Sequence, residues 1–541
     1  MASHKLFKHF GVVAALTMVS RVLGVVRDMA CAAFFGAGMV WDAFSFAFRV
    51  PNLFRRLFGE GALQAAFIPV FSEYLENKRE GEVWRLASLV GVVLALTLLA
   101  LLLLGEGFLL ALPHLTELSD RWQLTLVLTA VLLPYMLFIC LTALAGAALN
   151  SLKHFTAPAL APVVLNACWI AAVVVFAPMV STKPAEQIFV VAVGILAAGV
   201  LQLALQVGTL FKKGFQWLPN LNLKHPGLRR IVMSMVPVAL GLAAFQINVL
   251  LDGVIAITLA APEGTETFTL FGATVPYPME VGANSVLYYG NRLMQFPLGV
   301  FGIALATAVF PHLSSYAAKR DWDGFSDALT QGLGAVLFIG VPAGVGLILL
   351  RNPAIQLLFE RGAFTREMTL RTAGVLTAYC TATWAYCAHQ ILIRAFYGLQ
   401  DTRTPARVAA AMVAVNLTLN LTLIWPLAEA GLAAATACSG TCQAAVLYVL
   451  LHRRLHPSGQ KRLLTVLWKT ALATALMSFA VIGTLVALPA APETDRVGLK
   501  ILRLAVPLAA GLATYMAVAW LVKLEGFIDM IRQVLPGVRS T

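Results

Sequence analysis

The sequence predicts an all-α, polytopic membrane protein of about 14 transmembrane helices, arranged as two parallel six-helix lobes plus two extra C-terminal helices. Three observations predict it. First, 60% of the 541 residues are hydrophobic and 12% charged, with a mean hydropathy of +0.82; a soluble globular protein carries about 25% charged residues. Second, apolar runs of about 20 residues, long enough to cross a hydrocarbon core of about 30 Å, recur from end to end. Third, the first half of the chain is echoed in the second.

Taken in order, the expected spans are 8–34, 40–72, 84–112, 122–150, 157–180, 186–212, 229–260, 284–317, 325–350, 368–399, 405–427, 429–452, 464–489 and 499–523. The first is not expected to be a cleaved signal peptide, because Arg21, Arg27 and Asp28 interrupt its apolar stretch and no A-x-A-like site follows. The third, fourth, sixth and fourteenth contain the cleanest runs, at 87–112, 124–149, 188–211 and 504–522. Between spans, Lys and Arg concentrate in alternate loops. With the N-terminus inside, the inner loops hold about 22 of them and the outer loops about 9. Both termini are therefore expected in the cytoplasm. One outer loop runs against the trend, with Arg351, Arg361, Arg366 and Arg371. The net charge of +13 forms no single patch, so no nucleic-acid partner is expected.

The repeat is ordered. Arg49, Phe58, Gly59, Ala65, Phe67 and Ser72 match Arg292, Phe301, Gly302, Ala308, Phe310 and Ser315 at one constant offset. Asn166 then corresponds to Asn416, and Gly199 and Gln202 to Gly440 and Gln443, at nearly the same offset. A shift of six spans returns the chain to the same side, so the halves are parallel repeats, which place a substrate path near the bilayer midplane. The expected domains are 1–220 for the N-lobe, 221–457 for the C-lobe and 458–541 for the added final spans.

Charged side chains inside spans cost about 2.5–3.5 kcal/mol each on insertion scales, so they call for a functional reading. The first two spans hold Arg21, Arg27, Asp28, Asp42, Arg49, Arg55, Arg56 and Glu60. The spacing of Asp42, Arg49, Arg56 and Glu60 puts them on one helical stripe, unless Pro51 rotates the halves. Span 8 adds Arg292, flanked by Asn291 and Gln295. Several guanidinium groups with too few carboxylates suit an anionic, phosphate-bearing substrate. Asp28, Asp42 and Glu60 would hold them while the site is empty. The competing reading is a set of purely structural ion pairs.

A second polar set comprises Asp252 in span 7, Asn416 and Asn420 on one face of span 11, and Thr436 in span 12. These oxygens suit a small cation, or a proton at Asp252; interhelical hydrogen bonding accounts for them equally well. No phosphate loop is present, so ATP hydrolysis is not expected. Asp321 and Asp323 flank Trp322 in the D-x-D form of metal-dependent glycosyltransferases, but sit in a short loop without a nucleotide-binding domain. The cysteines (Cys31, Cys140, Cys168, Cys380, Cys387, Cys438, Cys442) lie in apolar spans and suggest packing rather than metal or disulfides.

Several motifs are long: SRVLGVVRD at 20–28, DAF at 42–44, RVPNLFRRLFGEG at 49–61, YYGNRLMQFP at 288–297, LFERGAFT at 358–365 and QDTRTP at 400–405. With them the chain resembles, over nearly its whole length, the MurJ (MviN) family of lipid II flippases. That resemblance implies the multidrug/oligosaccharidyl-lipid/polysaccharide exporter fold, with a V-shaped central cavity and two final spans flanking a hydrophobic groove. It implies as substrate lipid II, an undecaprenyl diphosphate bearing a disaccharide-pentapeptide, with the tail in the groove and surrounding lipid. The family's cavity residues carry over to Arg21, Arg27, Asp42, Arg55, Arg56, Glu60 and Arg292. Some members have acids where this chain has Asn291 and Gln295, and some have one at Asn420. The resemblance also implies sodium at spans 7, 11 and 12, and proteins of cell-wall synthesis as partners.

The expected function is flipping of lipid II across the bacterial cytoplasmic membrane by alternating access. The alternatives are an exporter of another polyprenyl-diphosphate-linked oligosaccharide, or a drug/cation antiporter, whose cavity should carry acids rather than arginines. A membrane enzyme would need a positioned acid/base or metal set, and none emerges. A scaffold would not need intramembrane arginines.

Overall fold

A computed structural model describes residues 2–77, 80–262, 264–270, 272–455, 459–489 and 497–524. The described chain is helical almost throughout, and every expected span is occupied by helix. Ten helices among the described residues are long and apolar enough to cross a membrane on composition alone. Spans 1, 2, 7 and 10 are helical too, as Ala2–Phe35, 39–77, Pro226–Thr258 and 366–398. The chain divides into two compact units, residues 1–258 with 362–364, and residues 259–361 with 365–541.

In the first unit, span 2 is one continuous helix in three parts. Met39–Phe54 passes into a π turn, Arg55–Gly61, and resumes as Ala62–Asn77. Pro51 lacks an N–H for the ladder, and the i→i+5 turn just beyond it takes up the local mismatch. Span 4 breaks at Leu133 and Pro134, between Asp120–Leu132 and Tyr135–Ser151. An aromatic core ties spans 1, 2, 4 and 5. Trp41 stacks on Phe35 at 5.8 Å and on Phe44 at 5.1 Å, and Trp169 meets Phe44 and Phe48 edge-on at 5.7 and 4.9 Å. Gly199 of span 6 lies against Tyr135, where a Cβ would fall 2.9 Å from the ring.

The unit boundary differs from the one the repeat suggests. Span 7 was expected to open the C-lobe at residue 221, but it packs on all three parts of span 2 and belongs to the first unit. Two contacts explain the attachment. Gly253 leaves room for Arg49 and Phe46, which stand 2.7 and 2.8 Å from where its Cβ would be. Buried Arg121 donates through Nη1 to the Ile257 carbonyl at 2.9 Å, closing the last turn of the helix.

The second unit repeats these devices. Span 8 runs Ala283–Pro297, π turn Leu298–Gly302, then Ile303–Lys319. Arg55 and Leu298, where the two π turns begin, stand in the same relation as Arg49 and Arg292. Span 10 breaks at Thr381 and Ala382, and Gly440 lies against Tyr386 at 2.6 Å as Gly199 does against Tyr135. Spans 13 and 14, Gln460–Ala487 and Val497–Leu521, pair with each other, and span 13 packs on span 9. The Tyr515 hydroxyl donates to the Phe338 carbonyl at 2.6 Å, and Gly511 admits Val481. A small antiparallel hairpin, Thr267–Leu270 with Ala273–Pro276, lies between spans 7 and 8. The sequence reading assigned no strand there.

Candidate functional site

The charged residues of the first unit separate into two environments. Arg27 is buried. Its Nε and Nη2 donate to Asp28 Oδ1 at 3.0 and 2.7 Å, its Nη1 donates to Asn166 Oδ1 at 3.0 Å, and its guanidinium lies 4.5 Å from the Trp169 ring centre. Asn166 in turn donates from Nδ2 to the Ser20 carbonyl at 3.0 Å, pinning span 5 to span 1. Neighbouring residues on a helix do not normally face each other; here the long arginine side chain folds back to reach Asp28. Asp42 is completely buried in the first turn of span 2. Arg27, Asp28 and Asp42 are therefore buried within the first unit.

Arg21 stands apart. It is exposed and makes no ion pair or hydrogen bond among the described residues. Arg55 and Arg56 are half-buried in the π turn, with Arg55 Nε donating to Asn52 Oδ1 at 2.7 Å. The expected stripe is cut there as well. With i→i+5 bonding, position 60 leaves α-helical register with Arg56, and the side chain of Glu60 lies outside the described residues. Half-buried Arg49 is directed to span 7 at Gly253, next in sequence to Asp252.

In the second unit, Arg292 is exposed, with its guanidinium 5.3 Å from the Tyr288 ring centre and Nη2 3.4 Å from that hydroxyl. Gln295 donates to Asn291 one turn earlier. Asp252 falls in the first unit, whereas Asn416, Asn420 and Thr436 fall in the second. The latter form a buried chain between spans 11 and 12. Asn420 Nδ2 donates to Asn416 Oδ1 at 2.9 Å, Asn416 Nδ2 to Ser439 Oγ at 3.2 Å, and Ser439 Oγ to the Thr436 carbonyl at 3.1 Å. The sole acid of these two spans, Glu429, is held by Arg371 at 2.7 Å. A seam of neutral, mutually bonded side chains is a poor cage for sodium by itself.

The four arginines that ran against the charge trend, Arg351, Arg361, Arg366 and Arg371, have local partners. Arg371 binds Glu429, Glu280 at 3.3 Å and the Val281 carbonyl at 2.8 Å, and Arg366 pairs with Glu360 at 3.4 Å. Arg351 donates to the Ile348 carbonyl at 2.6 Å, and Arg361 to that of Leu357. They act as local clamps. Asp321 of the D-x-D pattern accepts from the Gly324 N–H at 2.9 Å, the N-cap of span 9. Sequence reasoning missed Asn166, Trp169 and Ser439 as site residues. Only Asn166 carried a signal, through its repeat partner Asn416.

The family profile described as "Lipid II flippase MurJ" matches residues 31–491. A probable lipid II flippase MurJ of Vibrio cholerae serotype O1 is 34% identical over 462 residues, 83% of each chain. Another from Rhizobium meliloti is 33% identical over 527 residues, covering 95% of this chain and 94% of that one. Among solved structures, a lipid II flippase MurJ in an inward closed conformation is similar, with TM-score 0.74 and 24% identity over 96% of this chain and 99% of that one. An inward-facing multidrug resistance MATE family transporter shares the fold at TM-score 0.65 and 14% identity, over 82% and 98% of the two chains.

Proposed function

The chain belongs to the lipid II flippase MurJ family, and from that premise we propose that it moves lipid II from the inner to the outer leaflet of the bacterial cytoplasmic membrane by alternating access. It is a multi-pass membrane transporter and not an enzyme. The substrate is the undecaprenyl-diphosphate-linked muropeptide, met in the plane of the surrounding lipid. The observation that carries the route is the contrast among intramembrane arginines. Arg27 is ion-paired inside the first unit, whereas Arg21 is exposed and Arg292 is solvent-facing on span 8 beside Tyr288. Guanidinium forks suit diphosphate oxygens, and solvent-facing ones are accessible to them. Arg55 and Arg56 sit half-buried in a π turn, a distortion frequent at functional sites.

Both termini are proposed to be cytoplasmic, from the alternating basic loops. A membrane potential biases a transport step by about 2.3 kcal/mol per charge per 100 mV, and serves here as the proposed drive. No step is routed through sodium at the seam of spans 11 and 12. Proteins of cell-wall synthesis are proposed as partners because they make and consume this substrate; pull-down of the tagged flippase without any of them would remove that clause.

The test is complementation of flippase-depleted cells with Arg21→Glu and Arg292→Glu, with membrane insertion verified. Both variants are expected to lose growth. Well-inserted variants that restore it fully would overturn the route.

A further inference from the structure

Arg394 lies in span 10, near the end that leads into the basic loop of Arg403 and Arg407. It was not among the candidate residues. Two close contacts set the register between spans 8 and 10. A Cβ at Gly302 would lie 2.9 Å from Cys387 Sγ, and one at Gly398 would lie 3.4 Å from Ser314 N. Arg394 therefore has its Cα beside residue 310 or so of span 8, at about 1.5 Å of rise per residue. Yet its Nη1 donates to Thr307 Oγ1 at 2.9 Å and to the Ile303 carbonyl at 3.1 Å. The guanidinium thus reaches about 5–10 Å away from the basic loop, deeper into the span. A surplus membrane arginine would snorkel the other way.

The hydrogen bonding leaves a particular edge open. Both protons of Nη1 are used, and Thr307 is itself fixed by donating to Ile303 at 2.7 Å. Arg394 makes no ion pair among the described residues, and nothing there takes up Nε and Nη2. Those two nitrogens form the parallel fork that binds two oxygens of a phosphate. Ala304 and Ala308, next in sequence to the two partners of Arg394, are exposed small residues. Arg292 lies on the same helix, fifteen residues and about 22 Å farther from the basic loop.

Building on the flippase reading, we propose that Arg394, held by Thr307 and the Ile303 carbonyl, docks the diphosphate of the polyprenyl-linked substrate before it reaches Arg292. The second unit then offers two stations along span 8, one near the basic loops and one deeper. The first needs no carboxylate to stay organised, because a carbonyl and a hydroxyl orient it without neutralising its charge.

The test is binding of undecaprenyl diphosphate to the full-length protein in phosphatidylcholine nanodiscs. Phosphatidylglycerol nanodiscs and inorganic pyrophosphate serve as separate arms. Arg394→Gln is expected to weaken undecaprenyl diphosphate binding about tenfold, Arg394→Lys less, and Thr307→Val about threefold, with melting temperature unchanged. Arg394→Gln at wild-type affinity, with Arg292→Gln impaired, overturns the docking station and leaves the flippase reading intact. If Arg394→Gln fails to fold, wild-type affinity in Thr307→Val and Arg394→Lys overturns it instead. Equal, Arg394-dependent responses to phosphatidylglycerol or pyrophosphate overturn the substrate assignment in favour of a general anion site. Folded wild-type protein that does not bind undecaprenyl diphosphate removes the flippase reading and the station together.

Discussion

Asn166 and Asn416 occupy corresponding positions in the two halves and serve opposite electrostatic ends. Asn166 accepts from a buried guanidinium and donates to the Ser20 carbonyl, so one amide joins spans 1 and 5 around a charge. Asn416 accepts from Asn420 on its own helix and donates to Ser439 of span 12, both neutral groups. The surrounding geometry is nevertheless shared. Each half has a π turn after the same repeat position, a broken span and a glycine pressed on a tyrosine. Backbone devices have been kept while charge has been redistributed. Backbone geometry is what lets two lobes pack alike, whereas the charge pattern can differ wherever a new partner satisfies it.

The sharpest way to break that comparison is to remove one partner of the buried charge. Asp28→Asn removes the carboxylate that accepts from Arg27 Nε and Nη2 and is expected to cost about 3–5 kcal/mol. Chemical denaturation in detergent measures it, and a loss under 1 kcal/mol or so would show that Arg27 is not held as an ion pair. Asn166→Ala should cost about 1–3 kcal/mol, since it orphans a guanidinium proton and a backbone carbonyl. Asn416→Ala should cost only about 0.6 kcal/mol, the average for polar contacts between membrane helices. Equal losses at the two positions would erase the difference. Sodium-dependent stabilisation that disappears in Asn416→Ala would restore an ion site to the second half.

A third prediction concerns residues 362–364, which belong to the first unit although the chain on either side belongs to the second. Gly362 has φ +57°, its Cβ would fall 2.3 Å from the Ala33 carbonyl, and Ala363 N–H donates to that carbonyl at 2.8 Å. Gly362→Ala is expected to cost about 1–3 kcal/mol through the left-handed backbone and the clash, and to speed amide exchange at Ala363. Unchanged exchange would show that the loop tolerates a side chain there.

The smallest effect is expected at Asp401, at the loop entering span 11. Burial pushes its carboxyl up, but the Thr404 N–H and hydroxyl and the Arg454 guanidinium outweigh this and hold it below the usual carboxylate range. Its contribution is therefore present above the unfolded value of about pH 3.9 and lost as pH falls through the lower folded value. Asp401→Asn should lower stability slightly at neutral pH and flatten the acid limb, the two proteins converging as pH falls below the folded value. A steeper limb in the variant would contradict the sign.

Much of this was legible in the chain. The span positions follow from apolar length, and the repeat from shared order at residues such as Arg49 and Arg292. The nature of Asp321 as a loop residue was also readable. The burial of Arg27 was not, because Asn166 is 139 residues away and a side chain folding back on its neighbour defies helical spacing. Nor was the docking edge of Arg394, whose meaning depends on the register between spans 8 and 10.

The sequence by itself determined that the protein is a polytopic helical membrane protein of about fourteen spans with arginines inside its membrane segments, because hydrophobic length and the cost of burying charge are local properties. Only the tertiary structure decided which of those arginines are neutralised, that span 7 belongs with the first six, and that spans 11 and 12 are joined by neutral amides. Those outcomes depend on which helices meet and at what register, and pairing in a low-dielectric interior is settled by partners far apart in the chain.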